Sequence, residues 1–334
     1  MSTSVTLPWW KGAVVYQIYP RSFADSNDDG IGDIPGIISK LDYVKALGVD
    51  AIWLSPIFKS PQADFGYDVS DYCDIEPAYG SLADFDRLVA EAHERGLKLI
   101  LDQVLSHTSN EHPWFIESRS SRNNPKADWY VWAEPKDDGA VPNNWLAAFG
   151  GAAWSYWPQR RQYYHHKFYR EQPKLNLYNP DCAKAVLKSL AFWLDRGVDG
   201  FRLDVANSYF HDPQLTDNPP IPALERGAFE WGHPPRMQRH LNDANRPDNW
   251  RFLEALRAVA GRYLIASCSA RSRRKAASAF RNMSAPSVST PSTLSTSWKI
   301  RAFAGGIQKR VHNGRAGPAF TRRSRFRTAI SCVP

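Results

Sequence analysis

Arg202 and Asp204 stand two residues apart in Gly200-Phe201-Arg202-Leu203-Asp204, a spacing that puts both side chains on one face of a strand. Phe201 and Leu203 then point the other way, ready for burial under helices. An arginine beside a carboxylate lowers its pKa and keeps it ionised near neutral pH, the state a carboxylate nucleophile needs. The same five residues also describe a buried structural ion pair. Other polar candidates follow other strand-like runs: Asp68 comes after Ala51–Leu54, and His107 after Leu97–Val104. Asp68 can be read as a turn residue and His107 as a satisfied loop histidine. Gathered at strand ends they fit one concave site better.

A second chemistry is legible nearer the N-terminus. Asp25-Ser26-Asn27-Asp28-Asp29-Gly30-Ile31-Gly32-Asp33 places side-chain oxygens at positions 1, 3, 5 and 9, on Asp25, Asn27, Asp29 and Asp33. Gly30 in sixth place permits a sharp turn, and the carbonyl of Ile31 serves as the seventh. That is the first part of an EF-hand-like calcium loop, without the glutamate in twelfth place. The spacing points to a structural calcium ion rather than a solvated acidic turn.

The elements that must position these residues alternate between strand and helix. Strand candidates are Val14–Tyr19, Ala51–Leu54, Leu97–Val104, Gly200–Leu203 and Tyr263–Ile265, and helical patterns lie over Ile37–Leu47, Leu82–Arg95, Ala183–Arg196 and Trp250–Arg262. Gly48, Gly96 and Gly197 stand just past helical runs, where a left-handed cap is wanted. Such alternation predicts a parallel sheet with crossover helices. In a (β/α) barrel the strands' C-terminal ends meet at one mouth, where active sites sit. A stretch over 108–179, dense in Trp, Tyr, Asn and Pro, reads as an irregular insertion after the third strand.

At 334 residues, with 13 Trp and 13% aromatic content, the chain has material for a large core and for stacking on sugar faces. Cys73, Cys182, Cys268 and Cys332 form no pair at metal or redox spacing, which points to a reducing compartment. No apolar run approaches membrane length and no signal core follows Met1, so a soluble cytoplasmic protein is expected. The net charge of +8 averages two unlike parts. Residues 266–334 hold 14 of the 42 basic residues and none of the 34 acidic ones, which leaves 28 basic against 34 acidic in residues 1–265.

Four motifs carry a family resemblance: Val15-Tyr16-Gln17-Ile18-Tyr19-Pro20-Arg21-Ser22-Phe23, Gly66-Tyr67-Asp68-Val69-Ser70-Asp71-Tyr72, Asp102-Gln103-Val104-Leu105-Ser106-His107 and Gly200-Phe201-Arg202-Leu203-Asp204. In this order, residues 1–265 resemble the α-amylase family of glycoside hydrolases, in its α-glucosidase and oligo-1,6-glucosidase branch. The resemblance implies an α/β fold of the (β/α)8 TIM-barrel type. Only about strands 1–5 are expected: residues 1–107 and 180–265 form the barrel, and 108–179 an inserted subdomain. It implies that Asp204 is a nucleophile forming a glycosyl–enzyme intermediate, oriented by Arg202. It further implies that Tyr67, Asp68 and His107 grip the terminal glucose of an α-glucosyl oligosaccharide or disaccharide, with Phe149 and Phe168 as aromatic walls. The family points to calcium as well. Val205, directly after the nucleophile, goes in this branch with α-1,6 linkages of the isomaltose type.

Two departures bear on activity. Gln172-Pro173-Lys174-Leu175-Asn176 carries Lys174 where the branch has Asp. The family's general acid/base glutamate, expected after the fifth strand, has no counterpart after Ile265, and the later His-Asp pair is missing too. A retaining glycosidase needs two carboxyl groups about 5–5.5 Å apart. The chain is therefore expected to fold poorly alone and to hydrolyse little. The abrupt loss of acidic residues in 266–334 is what a GC-rich gene yields in a shifted frame. Two alternatives stay open: a non-catalytic sugar-binding module, and a basic arm for nucleic acid or anionic lipid.

Overall fold

The computed structural model describes residues 8–225 and 232–263 and, for the backbone alone, 267–270. The strands, in chain order, are β1 (Val15–Ile18), β2 (Ala51–Leu54), β3 (Phe58–Lys59), β4 (Asp71–Ile75), β5 (Lys98–Gln103), β6 (Trp132–Ala133), β7 (Trp154–Trp157), β8 (Gln162–His165), β9 (Gly200–Leu203) and β10 (Ser267–Ala270). The helices are α1 (Ile34–Ser39), α2 (Leu41–Ala46), α3 (Leu82–Glu94), α4 (Pro113–Ser120), α5 (Pro180–Asp195) and α6 (Asn249–Ala260). The main sheet runs β1-β2-β5-β9-β10, every pair parallel. Each strand pairs with the next one of this sheet along the chain and a helix crosses back between them, the winding of a (β/α) barrel, here incomplete. Between β5 and β9, α4 and an antiparallel sheet ordered β6-β8-β7 are inserted.

Period-two alternation sorts the sheet's two faces. Ile52, Leu54, Leu99, Leu101, Phe201 and Leu203 join the main core with Leu88 of α3 and Leu190 and Trp193 of α5. Opposite them Ala51, Trp53 and Ile100 form a small cluster with Trp9, on the face that also carries Asp102 and Arg202. The register Ile100↔Gly200 and Asp102↔Arg202 brings those two charges side by side.

Helix boundaries follow capping chemistry more than apolar period. α3 starts in a reciprocal capping box, Ser81 with Asp84. α5 starts at Pro180, three residues before the expected Ala183, because the Asn179 side chain accepts from the N–H groups of Asp181 and Cys182. The expected helix over Ile37–Leu47 is two, α1 capped by Asp33 and α2 beginning after Lys40. Gly36 in α1 is required by contact: a Cβ there would lie 2.1 Å from the Ala24 carbonyl oxygen. Gly48, Gly96 and Gly197 all take positive φ past their helices, as expected.

The fifth strand differs from expectation. Tyr263 does not enter the sheet; its N–H donates to Ala260 in the turn leaving α6, and its hydroxyl donates to Asp195 at 2.6 Å. Leu264 and Ile265 lie outside the described residues, and pairing with β9 comes at Ser267–Ala270. This strand lies past the boundary placed at 265/266, and the basic segment from 271 onward lies outside the described residues. Among the described residues no helix is long and apolar enough to cross a membrane.

Candidate active site

β9 ends at the residues that matter most. One nitrogen of Arg202, Nη1, donates to Asp204 Oδ1 at 2.7 Å and to both oxygens of Asp102, at 2.7 and 2.9 Å. The backbone N–H of Asp204 donates to the Gln103 carbonyl at 2.9 Å, so β5 fixes where the carboxylate emerges. The Arg202 and Asp204 side chains keep 10% and 13% exposure and Asp102 has none, so the carboxylate past the strand end is the one open to a ligand. Burial pushes the Asp102 carboxyl up against the pull of Arg202. Burial alone would lower Arg202; the two carboxylates override it and hold its guanidinium above the ordinary range. The guanidinium also lies 5.1 Å from the Trp53 ring centroid.

A second group joins this one through Tyr67. Its hydroxyl donates to Asp102 Oδ2 at 3.1 Å, and its carbonyl lies 3.0 Å from His107 Nε2. His107 Nδ1 faces Ser106 Oγ at 2.6 Å. Burial lowers the His107 pKa to about 3, so the ring is neutral. Gln172 Nε2 lies 3.2 Å from the same His107 nitrogen and donates to Asp64 Oδ2 at 2.9 Å. Burial raises Asp64 to about 6 against the Gln172 bond, with Asp68 and Asp204 adding to the rise. Asp68 sits below the surface: fully buried, it accepts from Ser60 Oγ, Ala63 N and Asp64 N at 2.8–3.0 Å. It shapes the loop that presents Tyr67 and Asp64.

Aromatic rings continue the wall. Phe168 lies 5.3 Å from His107 and 5.9 Å from Phe149, and Phe149 lies 4.5 Å from Tyr169. Phe149 is 55% exposed, so it is a rim residue rather than core. Beyond Asp204 opens a cleft of about 710 Å³ whose lining includes Phe168, Val205, Asn207, Arg236, Arg246 and Trp250. Val205 itself is strained, with φ 39° and ψ 40°. A β-branched residue in the left-handed region costs on the order of 1–3 kcal/mol and persists only where its surroundings impose it.

The Asp25–Asp33 loop closes on itself. Asp25 accepts from the N–H groups of Asn27, Asp28 and Gly30, at 2.8–3.0 Å, and these bonds lower its pKa. Asp29 Oδ1 accepts from Ile31 N, and Gly30 takes φ 85°. Asp33 is committed elsewhere: it caps α1 through Gly36 N at 2.6 Å and holds Ser26 Oγ at 2.7 Å. Among the described residues no three His, Cys, Asp or Glu side chains converge as a metal set. The oxygen-only donors Asp25, Asn27, Asp29 and the Ile31 carbonyl suit a hard cation, with Asp33 the weakest member of the set.

Of the residues expected from sequence, Arg202, Asp204, Tyr67, His107, Phe168 and Phe149 join in one continuous surface, and Asp68 supports it from beneath. Asp102, Asp64 and Gln172 were not singled out as site residues. Asp102 could have been found, since it shares the inner face with Arg202 one strand over. Asp64 and Gln172 meet across 108 positions, and no local pattern shows that.

Known proteins resemble this chain over most of its length. The sequence profile of the alpha amylase catalytic domain matches residues 17–278. A probable alpha-glucosidase of Rhizobium meliloti (strain 1021) is 58% identical over 253 residues, covering 75% of this chain and 46% of the relative. An oligo-1,6-glucosidase of Parageobacillus thermoglucosidasius is 52% identical over 240 residues, covering 71% and 42%. A crystal structure of an alpha-glucosyl transfer enzyme, XgtA, superposes with a TM-score of 0.78 at 58% identity, over 79% of this chain and 50% of the other. A trehalose-6-phosphate hydrolase of Bacillus licheniformis gives 0.73 at 41% identity, over 82% and 47%. The chain thus spans about half the length of these relatives.

Proposed function

Because the chain belongs to the α-amylase family of glycoside hydrolases, we propose that it carries the nucleophile half of a retaining α-glucosidase-type centre. The observation that carries this reading is the 2.7 Å pair of Arg202 with Asp204 at the mouth end of β9. Asp204 attacks the anomeric carbon and forms the glycosyl–enzyme bond. Arg202 orients it and keeps it charged. Tyr67 and neutral His107 grip the terminal glucose, with Phe168 and Phe149 as its aromatic wall and Asp68 as support. The cleft beyond Val205 receives the sugar on the far side of the cleaved bond. Val205 favours α-1,6 linkages, a preference worth about 1–3 kcal/mol at most. Calcium, held by Asp25, Asn27, Asp29, Asp33 and the carbonyl of Ile31, would brace the loop ahead of α1.

Hydrolysis needs a proton donor for the departing oxygen, and no Asp or Glu follows Glu254 in the sequence. Loss of general acid–base catalysis costs about 10²–10⁴-fold. The test is calorimetric titration with isomaltose and with maltose, beside a glucose-release assay. Binding of isomaltose, tighter than maltose and with little or no glucose released, is the expected result. Release at an ordinary enzyme rate, or no binding of either sugar, counts against the reading.

A further inference from the structure

Lys174 is 2% exposed, and among the described residues its ammonium makes no ion pair with a carboxylate. It lies between β8 and α5, where it bridges antiparallel to His107 and its N–H donates to the His165 carbonyl at 2.9 Å. Its Nζ donates to the carbonyl of Ser208 and, at 3.2 Å, to that of Tyr209. Those carbonyls close the short turn Ala206–Ser208 that begins at strained Val205. Helical turns leave their last carbonyls without partners, and a cation there satisfies them. The same turn is tied at two further points, Ser208 N to Val205 O at 2.7 Å and Asn245 N to Asn207 O at 2.6 Å. Val205, Asn207 and Ser208 line the cleft beyond Asp204.

A hydrocarbon side chain would fill this buried place without the cost of burying a charge. What it could not do is hold two carbonyls. The neighbours offer little compensation: among the described residues both ring nitrogens of His165 lack a partner, His211 is buried nearby, and the Asp243 carboxylate is already paired with Lys167. Burial, with Lys167 adding, lowers the Lys174 pKa to about 7, against the pull of Asp243.

We infer that Lys174 is a positioning residue that clamps the turn after Asp204 to the inserted segment, fixing the cleft wall that meets the second sugar of a substrate. The clamp itself stands on the contacts above; its effect on sugar selection rests on the proposed function. A carboxylate at this position, as the related branch has, could not bond the two carbonyls. The clamp therefore needs a side chain that donates to both.

The experiment compares the chain with its Lys174→Met and Lys174→Arg variants by amide hydrogen exchange and by calorimetry with glucose and isomaltose. In Lys174→Met, exchange at Ser208 and Asn245 rises about tenfold or more while the β9 amides stay protected. Glucose affinity holds within about twofold, and the extra affinity for isomaltose is lost. Lys174→Arg, which keeps donors for both carbonyls, recovers part of the protection. Unchanged exchange at Ser208 and Asn245 in Lys174→Met overturns the clamp. Loss of glucose and isomaltose binding in equal measure overturns the selective role. If the parent chain binds neither sugar, the proposed function fails while exchange still decides the clamp. Should Lys174→Met not fold, nuclear magnetic resonance of the parent decides: slowly exchanging ammonium protons on Lys174 support the clamp, and solvent-rate exchange refutes it.

Discussion

Replacing Arg202 with Met removes the cation between two carboxylates and leaves most of its volume. Asp102 suffers most: it has no exposure and loses both bonds from Nη1, keeping only the Tyr67 hydroxyl. Removing one partner of a buried pair costs about 3–5 kcal/mol. The lost contact with Trp53 adds about 0.5–1 kcal/mol. Asp204, partly exposed, can recover water and adds less. In urea, with a slope of about 1–3 kcal/mol per molar, the unfolding midpoint falls by at least about 1 M. The loss depends on pH in a definite sense. Burial already raises Asp102, and without Arg202 it rises further, so the folded state binds a proton that the unfolded chain releases above its ordinary carboxylate range. The Asp102 share of the variant's stability is therefore present at low pH, is lost as pH rises from about 4 to the folded value, and is flat above it. Asp102→Asn added to Arg202→Met restores much of the loss at about pH 8, because a neutral amide needs no counter-ion. Tryptophan fluorescence followed in urea at about pH 5 and pH 8 reads both effects. A loss below about 0.5 kcal/mol at pH 8, or one identical at the two pH values, would refute this reasoning.

Two further outcomes follow from groups away from the nucleophile. Burial lowers His107, His112 and His211 to about 3, His165 well below its ordinary value, and His166 below it as well. The unfolded chain takes up those protons near pH 6.5 and the folded one does not, so stability falls as pH drops through 6.5 toward 3. Asp64, raised to about 6, and Asp102 work in the opposite sense. Two to three protons remain in the balance, or roughly 3–4 kcal/mol per pH unit, and a flat unfolding midpoint between about pH 4 and 6 would contradict it. Calcium added to the metal-free chain should raise the thermal midpoint, and Asp25→Ala should abolish the rise. No heat and no shift on titration would remove calcium from the account.

How much could be read from the chain alone depended on range. Gly200-Phe201-Arg202-Leu203-Asp204 is strand and strand end together, so period-two alternation placed Arg202 and Asp204 on one face and Phe201 and Leu203 in the core. Helix ends marked by Gly96 and Gly197 were equally local. The register that brings Asp102 to Arg202 is not local, and neither is the meeting of Gln172 with Asp64. Tyr263 misled because an aromatic residue just after a helix reads alike as the start of a strand or as part of the helix's own exit. Lys174 was visible as a departure from a motif, but its burial and its hold on Ser208 and Tyr209 belong to tertiary contact. Asp68 shows the reverse case: a site residue by motif whose oxygens all engage its own loop.

The most direct measurement is the intact mass of the chain after incubation with α-glucosyl fluoride, whose leaving group needs no proton and so spares the missing acid. A gain of one glucosyl residue, mapped to the peptide holding Asp204 and absent from Asp204→Asn, is the predicted result. No adduct on a folded chain, or one that persists in Asp204→Asn, would contradict a nucleophilic Asp204.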